Sequence, residues 1–123
     1  MKDRLQGRLS LELRERAKRF GSGGIRLFVS LPKQHEEVRI LARQLIRSAT
    51  SVAAHTQEAS RARSNDEFKS KLGGALQEAD ESVLWLEYLR EVCQLSNPEI
   101  LRLEKEANEI IAIFTTIIKR TTS

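Results

Sequence analysis

Residues 19–27 read Arg19-Phe20-Gly21-Ser22-Gly23-Gly24-Ile25-Arg26-Leu27, and the fold turns on whether these glycines form a linker or lie inside a helix. By composition alone the stretch is a flexible linker. By phase it is not. Leu9, Leu13, Ala17, Phe20, Gly24, Leu27 and Leu31 step by three or four residues throughout. That is an unbroken apolar stripe with Phe20 and Leu27 on one face. The phase predicts one continuous helix over about 9–31, weakened by about 1 kcal/mol per glycine relative to alanine. Close approach of a neighbouring helix is the ordinary reason for such glycines. Pro32 then stops the helix.

Three further segments carry helical periodicity. The second, about 34–62, has a core line through Val38, Leu41, Leu45, Ser48, Val52, His55 or Thr56, and Ala59. Small residues from Ser48 to Ala54 make its middle thin, so a partner helix can pack closely. Glu36 and Glu37 suit the positive end of its dipole. Ser64 with Glu67 has capping-box spacing and opens the third segment, about 65–95. Its stripe runs Phe68, Leu72, Ala75 or Leu76, Ala79, Val83, Leu86, Leu89 and Cys93. Ser96 with Glu99 has the same spacing ahead of the fourth segment, about 97–120, and Pro98 is tolerated in its first turn. Ile100, Leu103, Ala107, Ile110 or Ile111, Phe114 and Ile117 or Ile118 complete the core set. Long helices with short connections must fold back on one another. The expectation is an all-α, antiparallel up-and-down four-helix bundle, one domain over residues 1–123.

Composition bounds the function. A chain of 123 residues fits one domain and can bury a core without staples. The single cysteine cannot form an internal disulfide, and the N-terminus carries charges with no apolar run behind it. These features point to a soluble cytoplasmic protein without a secretory signal. Charge is uneven. Residues 1–63 hold 14 Lys and Arg against 6 Asp and Glu, a net +8, and residues 64–123 hold 7 against 11, a net −4. Either the basic helices pair with the acidic ones, or a basic face stays open for a polyanion.

Catalytic chemistry is mostly missing. His35 and His55 do not follow a glutamate at the spacing of a di-metal bundle, so no metal site is expected. Glu78, Asp80, Glu81 and Glu87 on the third helix are expected to form structural salt bridges, as are Glu58 and Arg61. Cys93, in the core phase with no histidine placed to activate it, reads as a buried structural thiol. Gly73-Gly74 lacks the strand and the Lys-Ser/Thr of a phosphate loop. No cofactor, small-molecule substrate or enzymatic activity is expected.

Two features suggest binding. Arg39, Arg43 and Arg47 at i, i+4 and i+8 line one face of the second helix over about 12 Å. Arg61 and Arg63 follow at its C-terminal end, and Arg14, Arg16, Lys18 and Arg19 cluster on the first helix. Phosphate spacing could match such a stripe. Acidic residues of helix three could equally neutralise it. With no aromatic platform, any nucleic-acid binding would be directed to the backbone. Separately, Trp85, Tyr88 and Val92, with Ile113 and Ile117, form apolar surface beyond the main stripes. They are the candidate interface of a homo-oligomer.

The ordered set Arg47-Ser48-Ala49-Thr50-Ser51-Val52-Ala53-Ala54, Glu58-Ala59-Ser60-Arg61-Ala62-Arg63-Ser64, Glu67-Phe68 and Lys71-Leu72-Gly73 resembles the bacterial four-helix-bundle family of the 23S rRNA intervening-sequence protein. Glu78-Ala79-Asp80-Glu81-Ser82, Trp85-Leu86-Glu87, Glu106-Ala107-Asn108-Glu109 and Ile113-Phe114 extend the likeness over most of the chain. The resemblance implies a left-turning up-and-down bundle and a ring-like homopentamer without enzymatic activity. A related protein, the accessory variability protein of diversity-generating retroelements, binds nucleic acid and a reverse transcriptase through a basic surface. Two expectations follow. One is an oligomer holding nucleic acid or a nucleic-acid enzyme on arginine-rich faces. The other is a structural or protein-interaction oligomer whose arginines are used in salt bridges.

Overall fold

In a computed structural model, residues 8–122 are described. The N-terminal residues read above for a secretory signal lie outside this range. Four α-helices follow in order: α1 Leu11–Ser30, α2 Glu36–Ser60, α3 Asn65–Glu87 and α4 Pro98–Arg120. A π-helical turn, Tyr88–Val92, extends α3.

The helix ends follow from local chemistry. Ser10 caps α1 by accepting from the Leu13 amide at 3.2 Å. Leu31, ahead of Pro32, is extended, as a residue before proline prefers, and the helix ends at Ser30. Ser64 accepts from the Glu67 amide at 3.0 Å as its spacing predicts. The return bond of that box goes from the Arg63 amide to Glu67 Oε1. The fourth cap differs from expectation. Asn97, not Ser96, accepts from the Glu99 amide at 2.9 Å, with Pro98 at the first helical position. Proline fixes the helical start there, so the residue directly before it takes the cap.

Helix three departs most from its expected span. The Cys93 amide donates to the Tyr88 carbonyl, five residues back, and the Leu95 amide to Leu89. Gln94 ends the element with φ of 57°, in the left-handed position that glycine usually fills. The extra residue of the π turn shifts the face, leaving Cys93 half-buried instead of enclosed.

Specific contacts fix the helix directions. On the α1–α2 seam, Arg8 meets Ser60 and Gly24 meets Ala49. Across α2 and α3, Ser48 meets Ser82 and Glu58 meets Lys71. On the α1–α4 seam, Arg16 meets Glu106 and Gly23 meets Leu103. In each pair one number rises as the other falls, so neighbours are antiparallel.

The glycines lie inside α1, as the phase predicts, and two face α2. A Cβ built on Gly24 would stand 2.7 Å from the Ala49 Cβ, and one on Gly21 would stand 3.4 Å from the Ala49 carbonyl oxygen. The thin middle of α2 is what α1 packs against.

One core joins the four helices through enclosed side chains such as Phe20, Leu45, Leu72, Leu86, Ile110 and Phe114. Each such side chain stabilises the fold by about 1.5–3 kcal/mol relative to exposure. The α3 line passes through Ser82 instead of Val83, because Ser82 and Ser48 hydroxyls lie 2.7 Å apart inside the core.

Candidate nucleic-acid interface

The α2 arginines differ in their surroundings. Arg39 is half-buried. It donates to the Lys33 carbonyl at 3.0 Å and to Glu36 on its own helix at 2.7 Å. Arg43 and Arg47 are exposed, and Arg47 donates only to Gln44 at 3.0 Å. Among the described residues no ion pair joins either of them to a carboxylate. The acidic residues of α3 do not neutralise the stripe. Nor do Glu78, Asp80, Glu81 and Glu87 make the salt bridges expected of them among the described residues. Asp80 is exposed, whereas Glu78, Glu81 and Glu87 are half-buried without an ion pair among the described residues.

Carboxylates of α4 are engaged by other arginines. Arg16 donates to Glu106 at 2.6 Å and also to Glu109. Arg90 binds Glu104 through two contacts of 2.7 and 2.9 Å. Glu104 is only 6% exposed, so this clamp satisfies a buried carboxylate. Hydrogen bonding to Glu106 in one case and Glu104 in the other raises both guanidinium pKa values further, against partial desolvation. Glu58 does not pair with Arg61. It reaches Lys71 on α3 at 3.6 Å and lies 3.4 Å from His55 Nδ1. Arg61 follows the last turn of α2 and is exposed.

The basic residues read from sequence do not form one patch. Arg61 and Arg63 lie 14 and more residues beyond Arg47, about 21 Å along the helix. Arg63 is 90% exposed and 3.6 Å from Glu67. Lys18 is exposed on α1 and Arg14 is half-buried there. The structure instead groups Arg39 and Arg43 with two residues that sequence reading missed. Phe28 and Lys33 join them around a hollow of about 200 Å³. Lys33 Nζ sits 4.8 Å from the Phe28 ring centroid and donates to the carbonyls of Leu31 and Phe28. The only signal in sequence was a lysine after the Pro32 turn, which brings the end of α1 beside the start of α2.

The apolar candidates also separate. Trp85, Ile113 and Ile117 are partly buried against the core, whereas Tyr88 is 41% and Val92 71% exposed. Leu84, also exposed, completes a row with Tyr88 and Val92 at four-residue steps. The Cys93 thiol is pushed above its ordinary pKa by desolvation and by Glu37, which opposes thiolate formation. His55 packs over Gly74, where a Cβ would come within 3.2 Å of the ring. Gly74 is thus a packing glycine. Among the described residues no group of three or more His, Cys, Asp or Glu converges as a metal site would, and no helix is long and apolar enough to cross a membrane.

The architecture is that of an up-and-down four-helix bundle with exposed arginines on α2. Residues 10–116 match the profile of the 23S rRNA-intervening sequence protein family, and the chain belongs to that family. The fold is also similar to the crystal structure of a protein of unknown function from the S23 ribosomal protein family of Bacteroides thetaiotaomicron. Identity is 28% and the TM-score 0.77, over 87% of this chain and 98% of that one. No curated protein matches the sequence.

Proposed function

We propose that the protein is a non-enzymatic oligomeric scaffold that binds nucleic acid, or an enzyme acting on it, through the Arg39–Arg43–Arg47 face of α2. The observation that carries this reading is the division of charge. Carboxylates at Glu104, Glu106 and Glu109 are taken by Arg90 and Arg16, while Arg43 and Arg47 stay exposed without a carboxylate partner among the described residues. Lys33 and Phe28 extend the face with a further cation and an aromatic edge. Contacts of this kind go to phosphates and carry little sequence information.

A mobility shift with RNA or DNA should appear at low salt and fade steeply as salt rises. Arg43→Glu with Arg47→Glu should remove the shift, and leave the oligomeric mass unchanged. Alanine at both positions should lower the salt slope by about 2. Loss of the oligomer in the charge-reversed protein would instead place these arginines in a subunit interface. The exposed row Leu84, Tyr88 and Val92 favours that second reading, a structural oligomer built from copies of this chain.

A further inference from the structure

Of the four seams around the bundle, the one joining α1 and α4 is the least closely packed. The reason lies in the residues that α1 turns toward α4. Arg16, Arg19 and Arg26 cannot fill an apolar contact, and Gly23 offers no side chain. A cleft of about 360 Å³ opens there. Phe20 and Leu103, each 2% exposed, close its floor. The three α1 arginines and Arg102 of α4 form its walls. A second hollow, about 400 Å³, shares Arg26 and continues past Gly23 toward Ser30 and Asn97.

Two of the four guanidiniums are pinned. Arg16 is held by Glu106 and Glu109, and Arg102 by Glu99, with Nε to Oε1 at 2.7 Å. The Arg102 hydrogen bond also holds the Glu99 carboxyl below its ordinary pKa, so this clamp persists below neutral pH. Arg19 and Arg26 make no ion pair among the described residues. They stand two helical turns apart, about 10.5 Å along α1, and both reach the cleft. Arg16 and Arg102 are offset by Glu106, Glu109 and Glu99, so Arg19 and Arg26 are the two cations at the cleft that no ion pair occupies among the described residues.

We propose that this cleft is an oxyanion site for a small phosphorylated ligand, separate from the α2 face. A phosphate ester carries about −1.5 to −2 charge at pH 7, which the two guanidiniums of Arg19 and Arg26 can meet. Guanidinium forks suit phosphate oxygens, and pinned arginines lose little freedom on binding. The cleft's volume falls at the small end of the range for ligand sites, and its closed floor gives no through-path for a polymer. Glu12 opposes the anion and sets the selectivity of the site for high negative charge. The α2 helix packs on the other side of α1, through Gly21 and Gly24, so the two basic regions do not merge.

Isothermal titration of the full chain with pyrophosphate, at fixed low chloride, tests this. Saturable binding is expected. Arg19→Ala with Arg26→Ala should weaken it at least tenfold. Lys119→Ala with Arg120→Ala, which removes the same charge from exposed positions at the far end of α4, should leave it unchanged. Glu12→Gln should tighten binding several-fold, and this variant decides the matter if the double arginine variant folds poorly. The proposal fails if pyrophosphate gives no saturable heat, if both double variants weaken binding equally, or if Glu12→Gln has no effect. Displacement of pyrophosphate by a single-stranded oligonucleotide with a 5′-hydroxyl end would also overturn it, since the cleft would then belong to a nucleic-acid track.

Discussion

Helix α1 is held on two sides by opposite means. Toward α2 it presents Gly21 and Gly24, and the backbones approach until a single added carbon would clash with Ala49. Toward α4 it presents arginines, and contact is made through Arg16 reaching Glu106 and Glu109. Charged side chains are long, hydrated and costly to enclose, so the second seam stays open where the first closes. The difference teaches where binding capacity arises in a bundle without catalytic groups. It arises where side chains too polar to bury hold two helices apart.

The largest expected effect breaks the closed seam. Gly24→Leu forces a side chain against the Ala49 Cβ, which cannot swing away, and should destabilise by about 3 kcal/mol. A urea unfolding midpoint measures it. Ala49→Gly should restore part of the loss in the double variant, because the two positions share one contact. Additive effects would mean that the helices simply separate. Gly23→Ala provides the contrast on the open side. Its Cβ would stand 2.8 Å from the Cδ2 end of Leu103, a side-chain tip that can shift, and no closer than 3.8 Å to Arg102, so the change should be milder.

These two seams were not equally legible in the sequence. The close one was readable because Gly24 keeps the phase between Phe20 and Leu27 and the small residues after Ser48 offer a matching surface. The open one was not. Arg14, Arg16, Lys18 and Arg19 read as one basic cluster, yet Arg16 finds its partners ninety and more residues away. Helical spacing reports which face a charge occupies, and says nothing of which distant carboxylate meets that face. The same gap explains Glu58, which reached across to Lys71 instead of along its helix to Arg61. The π turn escaped notice for another reason. Trp85, Tyr88, Leu89, Val92 and Cys93 are apolar enough to fit either register, so one inserted residue leaves no mark. On the α2 face the spacing of Arg39, Arg43 and Arg47 was sufficient, but Phe28 and Lys33 belong to it only through the fold.

A smaller effect sharpens the account of how charge holds α4. Arg90 lies partly in solvent, whereas its partner Glu104 is buried. Removing the two should therefore not be equivalent. Arg90→Ala leaves a buried carboxylate without its donor and should lower the melting midpoint clearly. Glu104→Leu replaces the carboxylate with an apolar group and lets Arg90 turn to water, so it should cost much less or nothing. Equal losses in the two variants would show that the pair acts as a symmetric clamp, and that burial of Glu104 does not set its energetics.

The smallest effect uses a glycine that packing does not explain. Among the described residues nothing beyond its own stretch of helix lies within 4 Å of a Cβ added at Gly73, although the neighbouring Gly74 is covered by His55. Gly73 sits in the third turn of α3, where alanine gains up to about 1 kcal/mol from helix propensity alone. Gly73→Ala should thus raise the unfolding free energy by that amount in urea titration, the reverse of the change at Gly24. A loss of stability would mean that another surface approaches Gly73 as closely as Ala49 approaches Gly24. If that surface is a second copy of the chain, the loss should vanish on dilution below the assembly concentration, while the loss at Gly24 should persist because its partner lies within the same bundle.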